Sequence, residues 1–188
     1  MKKNLIYLLT LVSVFAFSCK DDHDHDKDGH DHDHENELIT TLRVSLTDTA
    51  TGLAQSFTWR QPGGPGTAVT IDTIRLASGK FYNATTDLLD ESKNPVKSVT
   101  AEIEELKNEH RFIYTSSTSR LTTTITDFDS NNPPLELGLR WNAVTSQSGD
   151  QAGQLRITLK HYSASNPKTN GPQAGSTDID VTFPVIIN

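Results

Sequence analysis

From residue 42 onward, apolar and polar side chains alternate so regularly that few architectures remain open to the chain. Leu42, Val44 and Leu46 alternate with Arg43, Ser45 and Thr47, and Leu135, Leu137, Leu139 and Trp141 with Glu136, Gly138, Arg140 and Asn142. Leu155, Ile157 and Leu159 alternate with Arg156, Thr158 and Lys160, and Ile179, Val181, Phe183 and Val185 close the chain. A period of two places every second side chain on one face of a strand, so a slip of one residue would expose the whole apolar row. Phe57 with Trp59, and residues 69–76, 80–89, 110–115 and 121–126, read as further strands, punctuated by turn signals such as Gln61-Pro62-Gly63-Gly64-Pro65-Gly66. Residues 98–107 fit a short helix: Val99, Ile103 and Leu106 share a face, Ser98 stands at the N-cap position, and Asn108 ends it. About eight or nine strands with one polar face and one short helix predict an all-β fold, an antiparallel β-sandwich of immunoglobulin-like type. Trp59 and Trp141 are in phase with apolar rows and are expected in the core. Pro184, on the polar phase of the last strand, is expected at an edge.

The first 37 residues have a different chemistry. Lys2 and Lys3 precede an apolar run over residues 5–17, and Ala16-Phe17-Ser18-Cys19 sets small residues just before the chain's single cysteine. The apolar run is well short of the roughly 20 residues that a membrane-spanning helix needs. Residues 1–18 therefore read as a secretory signal. A lone exposed thiol is a liability in an oxidising compartment unless it is acylated. The segment resembles a bacterial lipobox, which implies cleavage before Cys19 and lipidation of Cys19; an ordinary signal peptide with a nearby cysteine is the plainer reading. Lys20-Asp21-Asp22 resembles the basic-then-acidic tripeptide that directs some Gram-negative lipoproteins to the outer face of the outer membrane. That resemblance implies a protein tethered to the membrane through its lipid anchor and facing the cell exterior.

The organisation that follows is a signal peptide at 1–18, a lipidated cysteine with a tether at 19–37, and a β-sandwich domain at 38–188. Between Lys20 and Glu37 lie nine acids and two lysines, so most of the chain's formal charge of −7 resides in the tether. With no apolar residue between Lys20 and Asn36, the tether is expected to be disordered. It also carries five of the seven histidines, His23, His25, His30, His32 and His34, interleaved with Asp24, Asp26, Asp31 and Asp33. In an extended chain, residues two apart point the same way, so imidazoles form rows while the carboxylates lower the cost of bringing in a cation. This composition suits zinc or another divalent transition metal held loosely; the alternative is a solvated spacer. The tract resembles the His/Asp loops of bacterial zinc-binding lipoproteins and zinc transporters.

Inside the domain, His161 continues the inward row of Leu155, Ile157 and Leu159, and His110 heads a row with Phe112 and Tyr114. If these strand ends meet, His110, His161 and Glu109 form a second metal or ligand site; otherwise they are hydrogen-bonded histidines at a sheet rim. Asp127-Phe128-Asp129-Ser130-Asn131 has the oxygen spacing of a calcium loop, but Asn132 replaces the required glycine and no glutamate follows at position 12, so an acidic turn is expected. Asp48-Thr49-Ala50 and Asp72-Thr73-Ile74 resemble a three-residue O-glycosylation signal of some surface proteins. Catalysis is not expected, since the chain contains no nucleophile elbow, phosphate-binding glycine loop or HExxH. Nucleic-acid binding is not expected either, for want of a basic or aromatic cluster.

Over nearly the whole mature length, the chain resembles a family of small bacterial lipoproteins whose label invokes a type 1 periplasmic-binding fold. The matching features are Glu37-Leu38-Ile39-Thr40-Thr41, Glu109-His110, the turn from Asp127 to Pro133, Leu159-Lys160-His161 and Thr177-Asp178-Ile179-Asp180. The label implies strands and helices alternating around parallel sheets, an order this sequence lacks. The resemblance supports a surface lipoprotein. Two functions follow as expectations. One is a lipoprotein that captures zinc or a similar metal through its tail and feeds an outer-membrane importer; the other is a sandwich that binds a nutrient, glycan or partner, with the tail as spacer.

Overall fold

The alternation is realised as two sheets around one core. A computed structural model describes residues 38–149 and 151–188. In chain order the strands are β1 (Thr41–Asp48), β2 (Ala54–Arg60), β3 (Thr70–Ile71), β4 (Ile74–Leu76), β5 (Phe81–Asp90) and β6 (Lys97–Ser98). After the helix α1 (Val99–Glu105) and a 3-10 turn at Lys107–Glu109 come β7 (His110–Ser116), β8 (Leu121–Ile125), β9 (Arg140–Thr145), β10 (Ala152–His161) and β11 (Ser176–Ile187). A seven-stranded sheet has the order β3-β2-β1-β5-β9-β8, with β6 also paired to β5; a four-stranded sheet has the order β4-β11-β10-β7. Pairing is antiparallel except between β11 and β4. The immunoglobulin-like description is a finer statement that this strand order does not carry.

The inward rows of both sheets form a single buried cluster, in which Leu42, Val44, Leu46, Leu88 and Trp141 of the larger sheet join Phe112, Leu155, Ile157, Leu159, Val181 and Phe183 of the smaller. Burying a side chain of this size contributes about 1.5–3 kcal/mol relative to exposure, so the matched rows dictate the register. A polar chain crosses the core between the sheets. The Trp141 indole donates to Thr86 Oγ1 at 3.1 Å, Thr86 meets the Tyr114 hydroxyl at 2.8 Å, and that hydroxyl donates to the Gly138 carbonyl. Trp141 is thus a core residue, and Trp59 packs on the core's margin.

Three local expectations are corrected. Residues 69–76 make two short strands in different sheets, because the Asp72 carboxylate accepts the Thr58 amide (2.7 Å) and hydroxyl (3.0 Å) and pins the chain to β2 before it crosses over. Residues 135–139 alternate in sequence without joining a strand. There Gly138 takes φ +96°, and the Asp127 carboxylate binds the Gly138 and Arg140 amides, turning the chain before β9 begins. Pro184 lies within a strand paired on both sides, yet it immediately precedes Val185, where pairing with β4 starts, so its missing N–H interrupts no bond on that side. The helix occupies the expected span, with Val99 and Ile103 buried, but Ser98 makes no side-chain cap bond and α1 passes into the 3-10 turn before Asn108.

Candidate metal centre

The start of β7 and the end of β10 bring the two histidines of the domain together. His110 is the direct register partner of His161, and the rings stand 4.7 Å apart between centroids with a 30° tilt. His110 opens β7 directly after the 3-10 turn, so its ring lies under the last turn of α1. There Nδ1 is 3.0 Å from the Leu106 carbonyl. A carbonyl can only accept, so Nδ1 carries the proton and Nε2 presents a lone pair. Burial pushes the His110 pKa down to about 4, and the nearby His161 and Lys168 add to the drop, while the bond to Leu106 opposes it. At neutral pH this imidazole is in the form that ligates a metal.

The third member, Asp178, arrives through a defect in the ladder. Leu159 pairs with Ile179, but Lys160 pairs with Thr177, so Asp178 is an extra residue with no partner across the strand pair. A bulge of this kind re-aims a side chain, here toward the two imidazoles. Asp178 Oδ2 lies 3.9 Å from His110 Nε2, and Oδ1 lies 3.9 Å from His161 Nδ1, with the carboxylate side chain only 8% exposed. Oδ1 is buried and has no hydrogen-bond partner among the described residues. Burial raises the Asp178 pKa, against the opposing pull of His161 and Lys160. Leaving a buried polar atom unsatisfied costs about 1–3 kcal/mol, more for a charged group.

One ligating atom from each of His110, His161 and Asp178 falls within a common 4.8 Å. A tetrahedral zinc with bonds of about 2.0–2.1 Å requires ligand atoms about 3.3 Å apart, so a contraction of at most about 1.5 Å would close the set. Two imidazoles and a carboxylate are the donor set of borderline divalent metals, and three protein ligands leave one position open. Glu109, expected here from sequence, stands outside the trio. Its Oε2 is 3.7 Å from His161 Nε2, whereas Asp178 is near Nδ1, and its side chain is 41% exposed. Its backbone is fixed by Glu109 N–H to Leu106 O (2.8 Å) and by Tyr162 N–H to Glu109 O (2.7 Å). The β11 approach is equally constrained. Gly175 has φ +79°, and a Cβ there would meet the His161 carbonyl oxygen at 2.3 Å, so only glycine lets the chain pass so close to the end of β10.

Sequence reasoning pairs His110 with His161, whose rings are neighbours in the structure, adds Glu109, which lies outside the cluster, and misses Asp178. By strict alternation Asp178 shares the outward face of Asp180, which does point outward and pairs with Arg156. Only Thr177-Asp178-Ile179-Asp180, two acids flanking one apolar residue at the strand's start, hints at irregularity. The calcium-loop candidate is a structural turn: Asp129 accepts the Asn131 and Leu135 amides and pairs with Lys168 Nζ at 2.8 Å, and Asp127 is occupied by the Gly138 and Arg140 amides. Cys19 and the tail residues His23, His25, His30, His32, His34, Asp24, Asp26, Asp31 and Asp33 lie outside the described residues. Comparison of the chain with protein-family models, with curated proteins and with solved structures finds no match in any of the three.

Proposed function

We propose that this chain is a non-catalytic, lipid-anchored protein of the outer membrane that captures a divalent transition metal, of which zinc is the best fit, and passes it to an outer-membrane importer. Its anchor is Cys19 and its collecting segment is the His/Asp tail. The sandwich adds a discrete site at His110, His161 and Asp178. The observation that supports this reading is the buried Asp178 carboxylate, whose Oδ1 has no hydrogen-bond donor among the described residues and which faces two imidazoles, one of them kept neutral by burial. A cation supplies the missing partner.

Zinc titration of the mature chain with Cys19→Ala tests it. Replacing the five tail histidines by alanine should remove the weaker equivalents and leave one, and adding His161→Ala should remove that one as well. Binding to the tail should weaken as pH falls through about 6.5, because imidazole must be neutral to ligate. A mature chain that binds no zinc at neutral pH rules out metal capture. A tail-substituted chain that binds none confines metal handling to the tail.

The second reading, a nutrient- or glycan-binding sandwich with the tail as spacer, has one observation in its favour, an open cleft of about 330 Å³ lined by Arg111, Tyr114, Thr124, Glu136 and Gln173 among others. Its aromatic residues are already engaged: Phe112 is fully buried, and the Tyr114 hydroxyl belongs to the chain through Thr86.

A further inference from the structure

The two imidazoles of the centre present opposite ring nitrogens to Asp178. For His110 the nitrogen facing the carboxylate is Nε2, because Nδ1 is held by the Leu106 carbonyl. For His161 it is Nδ1, because Nε2 points the other way, to Glu109. Each ring thus has one nitrogen directed at the shared carboxylate and the other directed at an acceptor oxygen, the Leu106 carbonyl for His110 and the Glu109 carboxylate for His161. This is the arrangement by which an outer oxygen selects the tautomer and orientation of a metal-ligating histidine.

We infer that the centre binds zinc through His110 Nε2, His161 Nδ1 and Asp178, and that Glu109 is its positioning residue, holding His161 Nε2–H so that Nδ1 faces the metal. The inference rests on the proposed metal-binding reading and specifies its coordination. Two features of the fold place Glu109 for this role. Its main chain is clamped between the end of α1 and Tyr162, which seats the residue beside the end of β10, and its Oε2 lies 3.7 Å from His161 Nε2. Its partial exposure keeps it at the mouth, where it can steer the ring without entering the coordination sphere. The Leu106 carbonyl does the same for His110 from the buried side, so the two rings are fixed by one backbone oxygen and one side-chain carboxylate. Only the second can be altered by substitution.

The chain offers a clean test, since His110 and His161 are the only histidines outside the tail. In the mature chain with Cys19→Ala and the five tail histidines replaced by alanine, selective histidine labelling leaves two imidazoles to observe by nitrogen NMR. One equivalent of zinc should perturb His110 Nε2 and His161 Nδ1 and leave the other two nitrogens protonated. Glu109→Ala should weaken zinc binding about 10- to 100-fold and let His161 populate coordination through Nε2. Glu109→Gln, whose carbonyl can still accept from Nε2–H, should restore the nitrogen pattern and most of the affinity. Zinc bound through Nε2 of both rings, or an unchanged affinity and nitrogen pattern in Glu109→Ala, overturns this inference and leaves the metal-binding reading standing. If the two imidazoles show no response to zinc at neutral pH, the sandwich site falls together with this inference and metal handling is confined to the tail.

Discussion

Two buried carboxylates sit near the same end of the sandwich, and they are treated oppositely. Asp129 is sealed with Lys168, their side chains 0% and 1% exposed, and its remaining valences are filled by the Asn131 and Leu135 amides and the Asn131 side chain. Lys168 in turn donates to the Lys107 carbonyl, fastening the loop before β11 to the turn that precedes His110. Burial pushes Asp129 up, but Lys168 and the amides outweigh it and its pKa ends below the ordinary value; Asp178, buried against imidazoles 3.9 Å away, ends above. One carboxylate is complete within the chain. The other has an oxygen with no hydrogen-bond donor among the described residues, which the proposed cation would supply, and that difference separates a fastening from a candidate site.

Breaking the fastening should have the largest effect. Lys168→Met leaves Asp129 buried without its counter-charge and should destabilise the domain by about 3–5 kcal/mol in denaturant unfolding. A loss below 1 kcal/mol would erase the contrast between Asp129 and Asp178. Acid is the next lever. With His110 at about 4 in the folded domain and near 6.5 unfolded, the unfolded chain binds more protons between those values, so stability is full above 6.5 and falls as pH drops toward 4. The loss should amount to about 3 kcal/mol, and it should be absent in His110→Gln. Asp178 acts in the reverse sense: its raised pKa makes the folded domain the stronger proton binder just above the ordinary carboxylate range, so its own contribution declines as pH rises there.

Zinc should stabilise the domain by about 2.7 kcal/mol at a free concentration one hundred times the dissociation constant, read as a rise in melting temperature. The same addition should do nothing to an Asp178→Asn variant whose tail histidines are also replaced. The smallest effect sharpens the comparison most: without metal, Asp178→Asn should stabilise the domain by about 1 kcal/mol, because an amide is less costly to bury than an ionised carboxylate. Asp129→Asn should destabilise it. Equal signs for the two substitutions would show that the carboxylates play the same part.

Most of the scaffold was legible because burial imposes a period of two and the chain obeys it: the rows at Leu42, Leu155 and Ile179 read directly as core-facing strands. His110 and His161 were legible for the same reason, each being in phase with an apolar row. What failed to show were features set by single side chains acting on backbone amides or by a change of count. Asp72 splits one apparent strand, and Asp127 with Gly138 halts another, yet neither disturbs the apolar pattern. Asp178 was hidden because the extra residue in β11 inverts the phase that alternation assigns to it.

That extra residue makes the centre a matter of strand length. Removing Asp178 outright would set Thr177 directly before Ile179, and their existing partners, Lys160 and Leu159, are already adjacent on β10. The ladder would then close without a gap, and the sandwich would persist with an ordinary pair of rim histidines. A single codon lost in β11 is enough to take the carboxylate away from the two histidines and so delete the proposed site. On the proposed reading, a sandwich that keeps both histidines but is one residue shorter at the start of its final strand would lose the metal with the gap alone.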